Sequence, residues 1–125
     1  MLNEVFNKLK AAGVKPGSLL IVAVSGGPDS TCLLHLLLEA GAQYPLSLHA
    51  VHLNHLLRGR EADEDEEFAR ETARRWAVPA TLIRRDIASE ARKIRKTIME
   101  TGRVVRYQLL EEVRISQGGD WIATG

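Results

Sequence analysis

Leu19-Leu20-Ile21-Val22-Ala23-Val24-Ser25-Gly26-Gly27-Pro28-Asp29-Ser30 is an apolar run that stops abruptly in a small, glycine-rich, acidic turn. Six apolar residues bounded by Gly17 and by the Gly26-Gly27 pair predict a strand buried on both faces, as in the interior of a parallel sheet. From Thr31 the period changes: Leu33, Leu34, Leu37 and Leu38 recur at helical spacing up to Gly41, with Asp29 or Ser30 expected to cap the start. Strand, tight turn and helix form the first half of a βαβ unit, which puts residues 25–30 at a helix N-terminus. That turn suits phosphate. Gly26 and Gly27 can adopt positive φ and expose backbone N–H groups, Ser25 and Ser30 add hydroxyls, and the helix dipole adds about half a positive charge. Asp29 would repel a phosphate unless a divalent cation lay between them, and Mg²⁺ favours one or two carboxylates together with phosphate oxygens. Taken alone, the same residues also fit an ordinary glycine-rich turn with a capping aspartate.

Outward from this turn, the chain alternates helical and extended patterns. Leu2, Val5, Phe6 and Leu9 predict a short amphipathic helix over residues 3–12, closed by Gly13 before Lys15-Pro16-Gly17 breaks the chain. After Pro45, the alternation in residues 46–54 predicts a second strand, which the right-handed crossover rule places parallel to the first. Residues 55–60 then form a loop at its carboxyl end, the edge where open α/β sheets bind ligands. Next, Phe68, Ala69, Thr72, Ala73 and Trp76 make one face of a helix whose first turns carry acids, read as a solvated helix start. Residues 79–84 predict a short third strand toward an edge. Residues 86–96 are charged with little apolar face and are expected to be mobile, Val104, Val105, Leu109, Leu110 and Val113 support a long helix ending near Gly118-Gly119, and residues 120–125 begin a fourth strand. The expected architecture is a doubly wound parallel α/β sheet, Rossmann-like, cut off after about four strands, with residues 1–125 forming a single domain that looks incomplete.

Composition narrows the class. The chain has 125 residues, 45% apolar and 26% charged, which is ordinary for a soluble globular domain. Its longest apolar run falls far short of the ~20 residues a membrane helix needs, and Met1-Leu2-Asn3-Glu4 lacks the regions of a signal peptide, so a cytoplasmic protein with no membrane partner is expected. Cys32 is the single cysteine; it cannot make an internal disulfide or a cysteine-rich metal site, and it is read as a small apolar residue of the helix after the turn. The net charge of +1 conceals a division: residues 61–71 carry a net −6 and residues 84–106 a net +5. Such asymmetry permits a nucleic-acid partner, and residues 92–96 fit either a phosphate contact or a solvated face.

Ser25-Gly26-Gly27-Pro28-Asp29-Ser30 resembles the Ser-Gly-Gly-x-Asp-Ser loop of the PP-loop ATP pyrophosphatases, and neither a Walker-type nor a dinucleotide-type glycine loop occurs in the chain. His52-Leu53-Asn54-His55-Leu56-Leu57-Arg58 reads by itself as loop histidines rather than a zinc site, since no third ligand is in view. Beside the first loop it resembles the His-x-Asn-His-x-Leu-Arg signature of the tRNA(Ile)-lysidine synthetases, departing at Leu56, where that family often has glycine. Arg103-Val104-Val105-Arg106-Tyr107-Gln108-Leu109-Leu110 resembles the same family's Arg-x-x-Arg-Tyr-x-x-Leu helix, with Gly102 where alanine is common, and Ala123-Thr124-Gly125 resembles the strand that leads into a His-His-x-Asp-Asp motif.

The resemblance implies an adenine nucleotide alpha hydrolase-like fold and an enzyme of tRNA processing, a ligase. ATP adenylates the wobble cytidine of tRNA(Ile), free lysine attacks, and AMP leaves. It implies that Ser25, Gly26, Gly27, Pro28, Asp29 and Ser30 hold the ATP phosphates with Mg²⁺ on Asp29, and that Val51, His52 and Asn54 lie along the adenosine. Asp29, Arg58 and Arg106 are the candidate catalytic residues, although Arg106 also fits a helix-surface charge near Glu100 or Glu112. Rival readings are a tRNA 2-thiocytidine transferase, which needs paired cysteines, and a nucleotide-binding module without chemistry. A fragment ending at Gly125 is expected to be inactive alone and, with an exposed sheet edge, to form a homodimer.

Overall fold

The computed structural model describes residues 2–57 and 60–124. Its order is α1 (Leu2–Ala12), β1 (Ser18–Ala23), α2 (Pro28–Gly41), β2 (Leu46–Asn54), α3 (Arg60–Arg75), β3 (Ala80–Arg84), α4 (Ile87–Ile94), α5 (Ile98–Gln117) and β4 (Trp121–Ala123). All strands pair in parallel, in the order β3-β2-β1-β4. The chain therefore steps outward from β1 to β3, then returns to the free side of β1.

Alternation along β1 explains why helices cover both faces. Leu20, Val22 and Val24 pack with Leu9 of α1, Leu34, Leu37 and Ala40 of α2 and Ala69 of α3. Ile21 and Ala23 point the other way, against Leu110 and Val113 of α5, and a smaller cluster of Ile87, Val105 and Leu109 continues that layer under α4 and α5. Period-two alternation with both sets apolar is the pattern of a central strand in a doubly wound sheet. The reversal of strand order beside β1 places the ligand-binding crevice of such sheets at its carboxyl end. No described helix is long and apolar enough to cross a membrane.

Three details differ from the sequence reading. Helix α2 begins at Pro28, not Thr31, and neither Asp29 nor Ser30 caps it: Gly27 is the N-cap residue, with no side-chain cap, and Pro28 supplies the fixed φ that suits a first turn. Residues 86–96 are ordered into α4, capped by the Asp86 carboxylate accepting from the Ser89 N–H and closed by Arg95 in the left-handed region, with Ile87 and Ala91 buried. Phe68 leaves the apolar face assigned to it and is half exposed, in a groove shared with α2. Cys32 likewise lies on the exposed side of α2.

Leu56, at the position where the resembling family often has glycine, sits at φ +54. An L-residue there costs about 1–2 kcal/mol, and the Leu56 N–H, donating to Asn54 Oδ1 at 2.9 Å, helps hold the turn against that cost.

Candidate functional site

At the carboxyl edge of the sheet, β1 and β2 run out into a cavity of about 580 Å³. Its walls include Ser25, Asp29 and Ser30 from the first turn, Val51, His52, Asn54 and His55 from β2 and its exit, and Arg106 from α5. Seven of the sequence-predicted site residues thus line a single hollow: Ser25, Asp29, Ser30, Val51, His52, Asn54 and Arg106. Gly26, Gly27 and Pro28 belong to the same turn, and they face the groove between α2 and α3. Arg58 lies outside the described residues. A hollow of about 700 Å³ opens at the opposite edge of the sheet, around Leu19, Leu46, His49 and Val78.

The turn is held by its own hydroxyls. Ser30 Oγ accepts from the Ser25 N–H at 2.9 Å and shares a hydrogen bond with Ser25 Oγ at 2.9 Å, while Thr31 Oγ1 donates to the Gly27 carbonyl at 2.9 Å. The two glycines differ. Gly26 has φ +89, and a Cβ on it would lie 2.8 Å from Asp65 Cβ and 3.0 Å from the Asp65 Cα and carbonyl oxygen. Gly27, expected to share that conformation, is extended at φ −86 with only Ser25 Oγ at 3.5 Å from a Cβ position. Gly26 alone is therefore required, by backbone conformation and by the close approach of α3.

The β2 end is built for a different task. His52 is 5% exposed; its Nδ1 donates to the Val24 carbonyl at 2.7 Å, while Nε2 has no partner among the described residues. With Nδ1 carrying the proton of this bond, the other ring nitrogen, Nε2, is left in the cavity wall as an acceptor without a partner among the described residues. Burial, with His52 and Arg106 nearby, holds the His55 imidazole below its usual pKa, so it is neutral at pH 7. The His55 ring packs against α5 where Gly102 leaves room: a Cβ there would come within 2.7 Å of His55 Cε1. Arg106 is half-buried, its guanidinium carbon 5.2 Å from the Tyr107 ring centre, and its Nε lacks a partner among the described residues.

These features fit a nucleotide and its cation. The glycine-rich turn at the α2 N-terminus is of a kind that suits phosphate, the buried His52 Nε2 could accept from a base or sugar donor, and the exposed Asp29 carboxylate is a hard oxygen group of the kind that suits Mg²⁺. Glu61 and Asp65 line the same cavity.

Asn54 takes a part that the sequence did not suggest. It is 1% exposed, and its side chain is engaged internally: Nδ2 donates to Asp63 Oδ1 at 3.3 Å and Glu66 Oε1 at 3.2 Å, and Oδ1 accepts from the Leu56 N–H. Glu66, read from sequence as one of a run of solvated acids, is 3% exposed and carries most of this arrangement. Arg84 donates to it bidentately at 2.8 and 2.7 Å, and Arg70 adds a bond at 3.2 Å. The Arg84 hydrogen bonds, with those of Asn54 and Arg70, outweigh the desolvation and hold the Glu66 carboxyl down at about 2. A signal was present: Glu66 is three residues before Ala69 and seven before Ala73, on the buried stripe of α3. Its partner Arg84, on another element, was not readable from local pattern.

Because the folded-state pKa lies below the unfolded one, this group stabilises the protein above about pH 4.5, and the contribution is lost as pH falls toward 2. Its upper bound is on the order of 3 kcal/mol. Urea titrations at pH 7, 4.5 and 3 should show a loss of stability that Glu66→Gln largely removes.

A family described as a PP-loop domain matches residues 1–125. The chain is 36% identical to the tRNA(Ile)-lysidine synthase of Clostridium acetobutylicum over 115 residues, 91% of this chain and 25% of the relative, and 37% identical to that of Chlorobaculum tepidum over 112 residues, 90% and 34% respectively. It thus spans between a quarter and a third of these relatives' length. Among solved structures, the U34-tRNA thiolase NcsA from Methanococcus maripaludis with its [4Fe-4S] cluster superposes with a TM-score of 0.76 at 22% identity, covering 99% of this chain and 43% of that one. The NH3-dependent NAD synthetase of Campylobacter jejuni superposes with a TM-score of 0.64 at 17% identity, covering 99% and 53%. At these identities the structural likeness establishes the fold.

Proposed function

This chain belongs to the PP-loop domain family, and from that membership we propose that it is the ATP-handling portion of an enzyme that modifies tRNA(Ile), converting its wobble cytidine to lysidine. The observation that carries the reading is the convergence on one cavity of Ser25, Asp29 and Ser30 from the glycine-rich turn, a buried His52 Nε2 with no partner among the described residues and a half-buried arginine. The relatives named as tRNA(Ile)-lysidine synthases support the choice of substrate.

In this reading the C2 oxygen of the cytidine attacks the α-phosphorus of ATP, forming a bond to phosphorus as pyrophosphate departs. An amine of free lysine then attacks C2, and the C2–O bond breaks to release AMP. The turn at residues 25–30 binds the phosphates through its remaining backbone N–H groups, those of Ser25 and Gly27 being held by Ser30 Oγ and Ser25 Oγ. Asp29 holds Mg²⁺, which when bound supplies charge neutralisation to the phosphate oxygens. Val51 and His52 bound the adenosine. Arg106, whose Nε has no partner among the described residues, would face the phosphate charge, and Arg58, outside the described residues, is the second candidate cation.

Charge pairing supports an RNA partner. Arg70, Arg74, Arg84, Arg85 and Arg114 are each ion-paired with a glutamate. Arg92, Lys93, Arg95 and Lys96 are exposed and make no ion pair with a described residue, which leaves uncompensated positive charge at the corner of α4 and α5 for phosphate contacts.

The test is AMP release from ATP by the protein with tRNA(Ile) and lysine. Release that requires both substrates is expected from a protein of the relatives' full length that carries these residues, and none from residues 1–125 alone. Release requiring a sulfur donor instead of lysine would favour a thiotransferase, and nucleotide binding with no turnover on any tRNA would favour a binding module.

A further inference from the structure

We propose that Glu66 is a positioning residue, which through Asn54 fixes the carboxyl end of β2 and so sets the nucleoside-side wall of the cavity. The proposal rests on the reading that this cavity takes a nucleotide.

Glu66 sits where three elements meet. It is on α3, it receives both Arg84 hydrogen bonds from the end of β3, and it accepts from Asn54 at the end of β2. Asn54 passes the constraint on, because its Oδ1 accepts from the Leu56 N–H and holds Leu56 in its left-handed conformation. Without that bond the turn would relax from a conformation an L-residue disfavours, and the stretch from His52 to His55 would lose its fixed exit. The other side of α3 presses Asp65 against Gly26, so the helix anchored by Glu66 also backs the phosphate turn. A buried carboxylate in a surface-facing acidic run has no need of three partners for solubility. A bidentate arginine and an amide donor converging on it fix its geometry. Replacing either end should therefore disturb the cavity through one shared path.

The experiment titrates Mg·ATP into the protein and its variants well below their melting temperatures, with amide hydrogen exchange followed at Leu56. Glu66→Ala and Asn54→Ala should each weaken binding about tenfold, the equivalent of one buried hydrogen bond, and the double variant should be no weaker than either single one. Glu66→Gln can still accept from Asn54 but loses its charge to Arg84 and Arg70; it should lower the melting temperature while keeping affinity within about threefold. Leu56 exchange should accelerate in Glu66→Ala and not in Glu67→Ala, a residue 63% exposed. Additive losses in the double variant, a Glu66→Gln as weak as Asn54→Ala, or unchanged affinity and Leu56 exchange in Glu66→Ala would each overturn the proposal. If Glu66→Ala does not fold, Glu66→Gln and Asn54→Ala still decide. Absence of binding by the unsubstituted protein would remove the nucleotide reading instead, and Leu56 exchange would then judge the positioning role by itself.

Discussion

Gly26→Ala should destabilise the protein by about 3 kcal/mol and bring nucleotide binding below detection, whereas Gly27→Ala should change stability by less than about 0.5 kcal/mol. At Gly26 two costs combine. A side chain at φ +89 is strained, by about 1–2 kcal/mol, and its Cβ would overlap Asp65 at 2.8 Å from Cβ and 3.0 Å from Cα and O. The last two atoms are backbone, which cannot rotate aside, so either α3 shifts or the turn opens. Overpacking of this kind costs about 1–3 kcal/mol more. Opening the turn redirects the N–H groups that would meet phosphate, so affinity falls together with stability. At Gly27 the backbone is extended, and the nearest atom, at 3.5 Å, makes an ordinary contact. Thermal unfolding would check the difference: for a chain of this size, about 3 kcal/mol corresponds to a fall of roughly 10 °C. Equal melting temperatures for the two variants would mean that Gly26 is not wedged against α3.

Asp29→Ala should weaken Mg·ATP by about 30-fold or more, equivalent to about 2 kcal/mol, while leaving metal-free ATP unchanged or slightly tighter. Asp29 lines the cavity beside Ser25 and Ser30, in the first turn of α2. A carboxylate facing phosphates through a cation attracts them, and without the cation it repels them, so the effect of its removal should change sign with the metal. Calorimetric titrations with and without Mg²⁺ make the comparison. An equal loss in both would take Asp29 out of the metal's coordination and make it part of the turn's structure.

How much of this was legible in the sequence depended on whether the determinant was local. The β1 strand, its turn and α2 were readable because an apolar run, two glycines and a helical period are consecutive, and β2 was bounded correctly by Pro45 and its own alternation. The convergence of Ser25, Asp29 and Ser30 with residues 51–54 also followed from topology, since parallel strands share a carboxyl edge, whereas Arg106, on α5, was indicated only by the resemblance. Elements fixed by distant partners were not legible. Helix α4 has only Ile87 and Ala91 to bury, and what orders it is packing on α5 together with caps at Asp86 and Arg95. Glu66 looked like its acidic neighbours because its buried state depends on Arg84, 18 residues away on another element. Gly26 and Gly27 are chemically identical in the sequence, and only the folded turn's backbone conformation and the placement of Asp65 distinguish them.

The central claim is that ATP binds at the carboxyl edge with its phosphates on the first turn, and an NMR titration of the labelled protein with Mg·ATP tests it most directly. Amide shifts concentrated at residues 24–30 and 51–56, with a change at the His52 ring, are the predicted result. Shifts centred on residues 46–49 and 77–79, around the larger hollow at the opposite edge, or no shifts at saturating Mg·ATP, would contradict it.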